Sequence, residues 1–244
     1  MPGRPLTEPT DGPDPAADQP GTGQGPVDQA ARRAVVRDAV GIGVAVGAYG
    51  LSFGAAAITA GLSTAQASAL SLLVFTGASQ FALVGVLGAG GSVVAAVAGA
   101  LLLGSRNTLY AVRLSSLLPL RGPRRVLAAQ LTIDESTGMA TAAPPRLAGT
   151  AFWATGLSVY VLWNLATLLG AVGAARLGDP AVLGLDAAVP AAFLALLAPQ
   201  VRARQTLAVA AAGALVALVA VPLTPAGVPV LLAGLAVVPL LVRR

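Results

Sequence analysis

Residues 101–125, LLLGSRNTLYAVRLSSLLPLRGPRR, place two arginines inside a stretch otherwise apolar enough to lie in a bilayer. Arg106, Tyr110 and Arg113 are spaced by four and three, so they share one stripe of a helix, with Asn107 on the adjacent face. An ionised side chain at mid-bilayer costs about 2.5–3.5 kcal/mol even on the lenient insertion scale, so each must be paired, reach an interface or serve a function. Arg113 lies close enough to Arg121 to snorkel. Arg106 sits nearer the middle of its segment, where the alternatives are an ion pair with Asp134, Glu135 or Asp186, or a contact with a substrate carboxylate. A second polar island, Thr76, Gly77, Ser79 and Gln80, interrupts FTGASQF, and Asn164 interrupts YVLWNLATLLG. An arginine and carboxylates among small aliphatic residues suit a zwitterion such as a free amino acid with an apolar side chain. The candidate substrate contacts are therefore Arg106, Tyr110, Gln80, Ser79, Asn107 and Asp186, with Asp134 and Glu135 as coupling or ion-pair groups.

The elements that must position these groups follow from composition. The chain has 244 residues, 56% of them hydrophobic and 10% charged, with a mean hydropathy of +0.79. That is far from the charge content of about 25% in an ordinary soluble domain and describes an integral membrane protein. No ten-residue alternation of apolar and polar residues marks a barrel, so the fold class is all-α, a polytopic helical bundle of about seven to eight transmembrane segments with broken or re-entrant helices. Cysteine, histidine and lysine are absent, which excludes disulfides, thiol nucleophiles, Cys/His zinc sites, histidine bases and lysine Schiff bases. No cofactor or metal is implied. Adjacent Asp134 and Glu135 project about 100° apart on a helix and do not converge as an acid and base would, so no enzyme is expected.

Residues 1–31 hold seven Pro, five Gly and five acids against one Arg, and read as a disordered tail. Residues 32–244 form the transmembrane domain, and their net charge of +9 belongs to loops, where it sets topology and does not signal nucleic acid. Candidate segments are 38–60, 66–88, 92–120, 150–174, 181–198, 205–222 and 227–242. Placing every arginine cluster in the cytoplasm makes 38–60 and 66–88 one hairpin, makes 92–120 enter and return at GSRN, leaves 126–143 re-entrant or cytoplasmic, and puts both termini inside. The competing scheme makes 92–120 and 126–143 single spans and places RGPRR outside. Gly43, Gly47, Gly50 and Gly54 form a smooth stripe on one helix face, for tight helix packing or for a substrate path.

LSFGAAAITAGLSTAQASALSLLVFTGASQFALVGVLGAG (51–90), LLLGSRNTLYAVRLSSLLPL (101–120), DESTGMA (134–140), YVLWNLATLLGAVGA (160–174) and LGLDAAVPAAFLALL (183–197) resemble the AzlC family, the large subunits of bacterial branched-chain amino acid exporters. The resemblance implies a multi-pass permease of the cytoplasmic membrane that works with a small AzlD-type transmembrane subunit. It would move leucine, isoleucine, valine and methionine outward, driven by the proton or membrane gradient. The family pattern N-x-R-H-x-x-Y stands here as GSRNTLY, with Gly104 for Asn and Asn107 for His. Asn hydrogen-bonds but does not titrate, which moves proton coupling to Asp134, Glu135 or Asp186, or shifts the substrate. A membrane scaffold whose internal charges are merely paired is the alternative of a different class.

Overall fold

The computed structural model describes residues 26–177 and 203–242, with isolated positions 191, 194, 197, 198 and 201 between them. Among the described residues every regular element is a helix: α1 (Pro26–Thr59), α2 (Thr64–Leu73), α3 (Ala78–Gly88), α4 (Val93–Gly104), α5 (Arg106–Leu117), α6 (Pro123–Gln130), α7 (Asp134–Ala142), α8 (Pro145–Leu177), α9 (Arg204–Ala220) and α10 (Val228–Val242). Three stretches are long and apolar enough to cross a bilayer, Asp28–Thr59, Val93–Leu117 and Pro145–Arg176; other apolar segments are short or broken. α1 begins at Pro26, so residues 26–31, assigned to the tail on composition, lie in its first turns. Residues 1–25 and most of segment 181–198, with Asp186, lie outside the described residues.

α1 and α8 form the spine, and the glycine stripe is where they meet. A Cβ on Gly43 would lie 2.7 Å from Ser158 Oγ, and one on Gly50 would lie 2.6 Å from the Trp163 carbonyl oxygen. At Gly54 it would run into the Thr167 carbonyl oxygen. The smooth face therefore serves helix contact and not a path between the helices. Ser158 Oγ donates to the Ala39 carbonyl at 2.8 Å, which crosslinks the seam. Partner numbers rise together from Asp28–Arg146 to Gly54–Thr167, so the helices run parallel. Arg32, Arg33, Arg37 and Arg146 then share one end of the bundle, the basic end.

Between α1 and α8 the chain makes one crossing and two half-crossings. α2 starts beside the far end of α1 and descends until Ser71 Oγ meets Thr167 Oγ1 at 3.2 Å. α3 climbs back, and a Cβ on Gly88 would lie 3.4 Å from Ala60 Cβ. The α4–α5 rod starts at the far end, passes Ser79 at Gly104, and ends with Leu118 beside Gly149 near the start of α8. α6 leaves the basic end, rises to Gln130, and α7 returns to Pro145.

This corrects the sequence reading, in which 66–88 crossed and 92–120 entered and returned; the two roles are exchanged. The reason is local. Ser105 keeps right-handed helical angles, φ −57° and ψ −27°, so α4 continues into α5 as a single 25-residue rod. Gly77 instead has φ +55°, and Val74 leaves the helix at φ −111° and ψ 59°, so the chain reverses between α2 and α3. Residues 126–143, expected to be re-entrant or cytoplasmic, run as α6 and α7, which leave and return to one end, and Arg121, Arg124 and Arg125 stand at the same end as Arg146. Arg202, Arg243 and Arg244 lie outside the described residues.

Candidate functional site

The tips of both half-crossings and the α4–α5 joint meet at one pocket of about 430 Å³. Its polar wall comes from the three breaks: Thr76 and Gly77 between α2 and α3, Arg106 and Asn107 at the start of α5, Asp134 and Glu135 at the start of α7. Val46 and Tyr49 of α1 and Val159 and Trp163 of α8 also line it, and Thr206 of α9 adds a hydroxyl-bearing residue. Irregular backbone at this depth is tolerated where it is satisfied internally or lines a cavity.

Side chains close the end of α2 and the start of α7. α2 ends at Leu73 and leaves carbonyls without helical partners. Gln80 Nε2 donates to the Leu70 oxygen at 3.1 Å, and the Leu72 oxygen accepts from Gln130 Nε2 at 2.9 Å and from Tyr160 OH at 3.2 Å. Gln130 thereby ties the two half-crossing tips together. At the second tip, Ser136 Oγ accepts from the Ile133 N–H at 3.1 Å and donates to the Leu131 oxygen at 2.6 Å. Asp134 and Glu135 occupy the first turn of α7, where the helix dipole favours negative charge.

The charges sit together in that polar wall. An Arg106 terminal nitrogen lies 2.7 Å from Asp134 Oδ2, bridging the crossing rod and the second half-crossing. Tyr110, one turn along α5, interacts with the Asp134 carboxylate. Glu135 makes no ion pair among the described residues, and α7 lies outside the three long apolar helices. Burial first, and then the Asp134 charge, push its carboxyl above the ordinary carboxylate range, against the helix end and Arg106, which pull it down.

The structure thus brings Arg106, Asn107, Asp134 and Glu135 into one wall. Tyr110 supports that wall through Asp134 without lining the pocket. Ser79 and Gln80 are fully buried behind it, Ser79 where α3 and α4 close at Gly104, Gln80 as the clamp on α2. Asn164 Nδ2 donates to the Tyr160 carbonyl one turn back at 2.8 Å. Arg113 lies two turns beyond Arg106 toward the basic end, in keeping with a snorkelling residue.

Sequence reasoning missed the aromatic lining. Tyr49, Phe75, Phe81 and Trp163 line this pocket, four of the ten aromatic residues in the chain, and that scarcity was the available signal. Trp163 stacks on Phe53 at 6.1 Å and meets Phe81 edge-on at 6.2 Å, which holds the indole in place. Among the described residues no cluster of His, Cys, Asp or Glu could hold a metal. The arrangement offers both signs of charge within an aromatic and aliphatic wall, which is chemically complementary to a small zwitterion.

The sequence pattern of the AzlC protein family matches residues 41–177, a range that contains all three breaks. No curated protein and no solved structure matches the chain.

Proposed function

The chain belongs to the AzlC family, whose members are membrane transport-related proteins, and from that premise we propose that it exports branched-chain amino acids through the pocket at the three breaks. The observation that carries the reading is the joint presence of Arg106, Asp134 and Glu135 in one wall of an otherwise apolar pocket. Its volume of about 430 Å³ falls in the small-ligand range. The ammonium group faces Glu135, the carboxylate faces the positive side of the site, and the aliphatic side chain lies against Val46, Val159, Phe81 and Trp163. The protein works with a small AzlD-type subunit in a bacterial cytoplasmic membrane, with its basic end inside. With no histidine in the chain, proton coupling falls to the pocket carboxylates: protonation of Glu135 discharges the ammonium site and releases substrate on the acidic side.

The test is co-reconstitution of both chains in proteoliposomes loaded with labelled leucine, isoleucine, valine or methionine, under imposed pH and voltage gradients. Gradient-dependent efflux of these amino acids is expected, and its absence with both chains correctly inserted would refute the reading. One observation favours a second reading. Arg106 and Asp134 pair directly at 2.7 Å, as a scaffold's structural charges would, and a scaffold gives no substrate-dependent flux.

A further inference from the structure

Of the groups in the pocket, Arg106 is the obvious partner for a substrate carboxylate, yet one of its terminal nitrogens is already engaged, while its buried Nε has no partner. Its terminal nitrogen holds Asp134 at 2.7 Å, and pulling it away would leave that acid uncompensated. The pocket has a second source of positive potential. α3 begins at Ala78 behind Gly77, and no side chain caps it. The carbonyl of Gly77 accepts from the Gln80 and Phe81 N–H groups, while the leading N–H groups of a helix have no intrahelical acceptor. Thr76, Gly77 and Ala78 all line the pocket, so this terminus opens on it. In the other half-crossing the comparable terminus, that of α7, carries its own carboxylates Asp134 and Glu135.

An independent observation points the same way. Trp163 lines the same pocket and is only 4% exposed, and its indole Nε1 has no hydrogen-bond partner. A buried indole N–H ordinarily finds an acceptor, so the vacancy calls for one. The tip of that indole, Cη2, lies 3.9 Å from where a Gly77 Cβ would sit. Thr76 Oγ1, beside Gly77, is likewise buried and without a partner. Thr76 and Trp163 thus each carry a buried donor without a partner, and both line the pocket on which the α3 terminus opens. Gly77 itself has φ +55°, a left-handed conformation that a side chain would strain, and its bare Cα lets a ligand approach the backbone.

We propose that the start of α3, with the Thr76 hydroxyl and the Trp163 indole N–H, is the carboxylate subsite of the transported amino acid. It rests on the amino acid transport reading. Arg106 is then a positioning residue that fixes Asp134 and lends its charge to the site from one side. The zwitterion lies between the α3 terminus and the start of α7, carboxylate toward Gly77 and ammonium toward Glu135. A helix N-terminus facing a substrate carboxylate at a broken helix is a physically economical arrangement, because it stabilises charge without burying another ion.

The test uses the full chain with its small subunit in nanodiscs and two probes, L-leucine and L-leucinamide, which differ only in the carboxylate. The wild type binds leucine more tightly than leucinamide. Thr76→Val and Trp163→Phe each weaken leucine binding by about tenfold, the loss of one charge-assisted hydrogen bond, and weaken leucinamide binding less. Glu135→Gln weakens both probes alike. Variants that bind leucine as the wild type does, or that lose both probes equally, overturn the subsite and leave the transport reading standing. A wild-type complex that binds neither probe overturns both.

Discussion

Replacing Gly50 by alanine tests whether the α1–α8 seam sets the position of the pocket wall. The added methyl would meet the Trp163 carbonyl oxygen at 2.6 Å and Ala166 Cβ at 3.0 Å, whereas ordinary contact begins at 3.4 Å. The helices must therefore part by roughly 0.8 Å at the level of Trp163, a gap that forfeits a quarter to a half of the dispersion attraction between facing atoms. Overpacking of this kind costs about 1–3 kcal/mol. Alanine returns about 0.5–1 kcal/mol through its better helix propensity, which leaves a net loss of up to about 2.5 kcal/mol. Gly41 is the internal control, on the same helix with nothing within 4 Å of a new Cβ. There the propensity gain stands alone, so Gly41→Ala stabilises by about 0.5–1 kcal/mol. The two variants should differ by about 1–3 kcal/mol, on the order of 2–12 °C in Tm for a chain of this size. The assay is thermal unfolding of the purified variants in detergent beside leucine efflux from proteoliposomes. Gly50→Ala lowers both Tm and efflux, and Gly41→Ala lowers neither. Shifts of the same sign and size at both positions would refute the claim that the stripe is a contact surface.

Three further outcomes follow from the site and the topology. Because the chain has no cysteine, single-cysteine labelling is clean: Ala89→Cys and Arg121→Cys, flanking the α4–α5 rod, should react from opposite sides of the membrane, and labelling from one side would restore the hairpin. Arg106→Gln abolishes efflux with normal insertion, and Asp134→Asn added to it recovers thermal stability but not efflux, since the pair is relieved while the site is not restored; retained efflux in Arg106→Gln removes that residue from the site. Glu135 holds its proton more readily than an ordinary carboxylate, so as pH falls it is neutralised early and leucine affinity in the wild type declines. Glu135→Gln should sit at the low-affinity level with that pH dependence flattened, and an unaltered pH profile would shift the titration elsewhere.

The sequence by itself determined the membrane class, the helical architecture, the charges to be accounted for and the spacing of the glycine stripe. These are sums and periods over local stretches, and a bilayer reads them locally, because each segment must satisfy its own backbone and hide its own charge. It also marked FTGASQF and GSRN as interruptions. Only the tertiary structure decided what each interruption does. The direction of a chain after a break depends on one or two backbone angles, at Gly77 and Ser105, that hydropathy does not encode. The same holds for partnership. Arg106 finds Asp134 across 28 positions only because a crossing rod passes the tip of a half-crossing, and Gly50 finds Trp163 only because α1 and α8 run parallel. Trp163 was invisible as a site residue for that reason: an apolar residue in an apolar helix acquires a role only from what the fold sets opposite it.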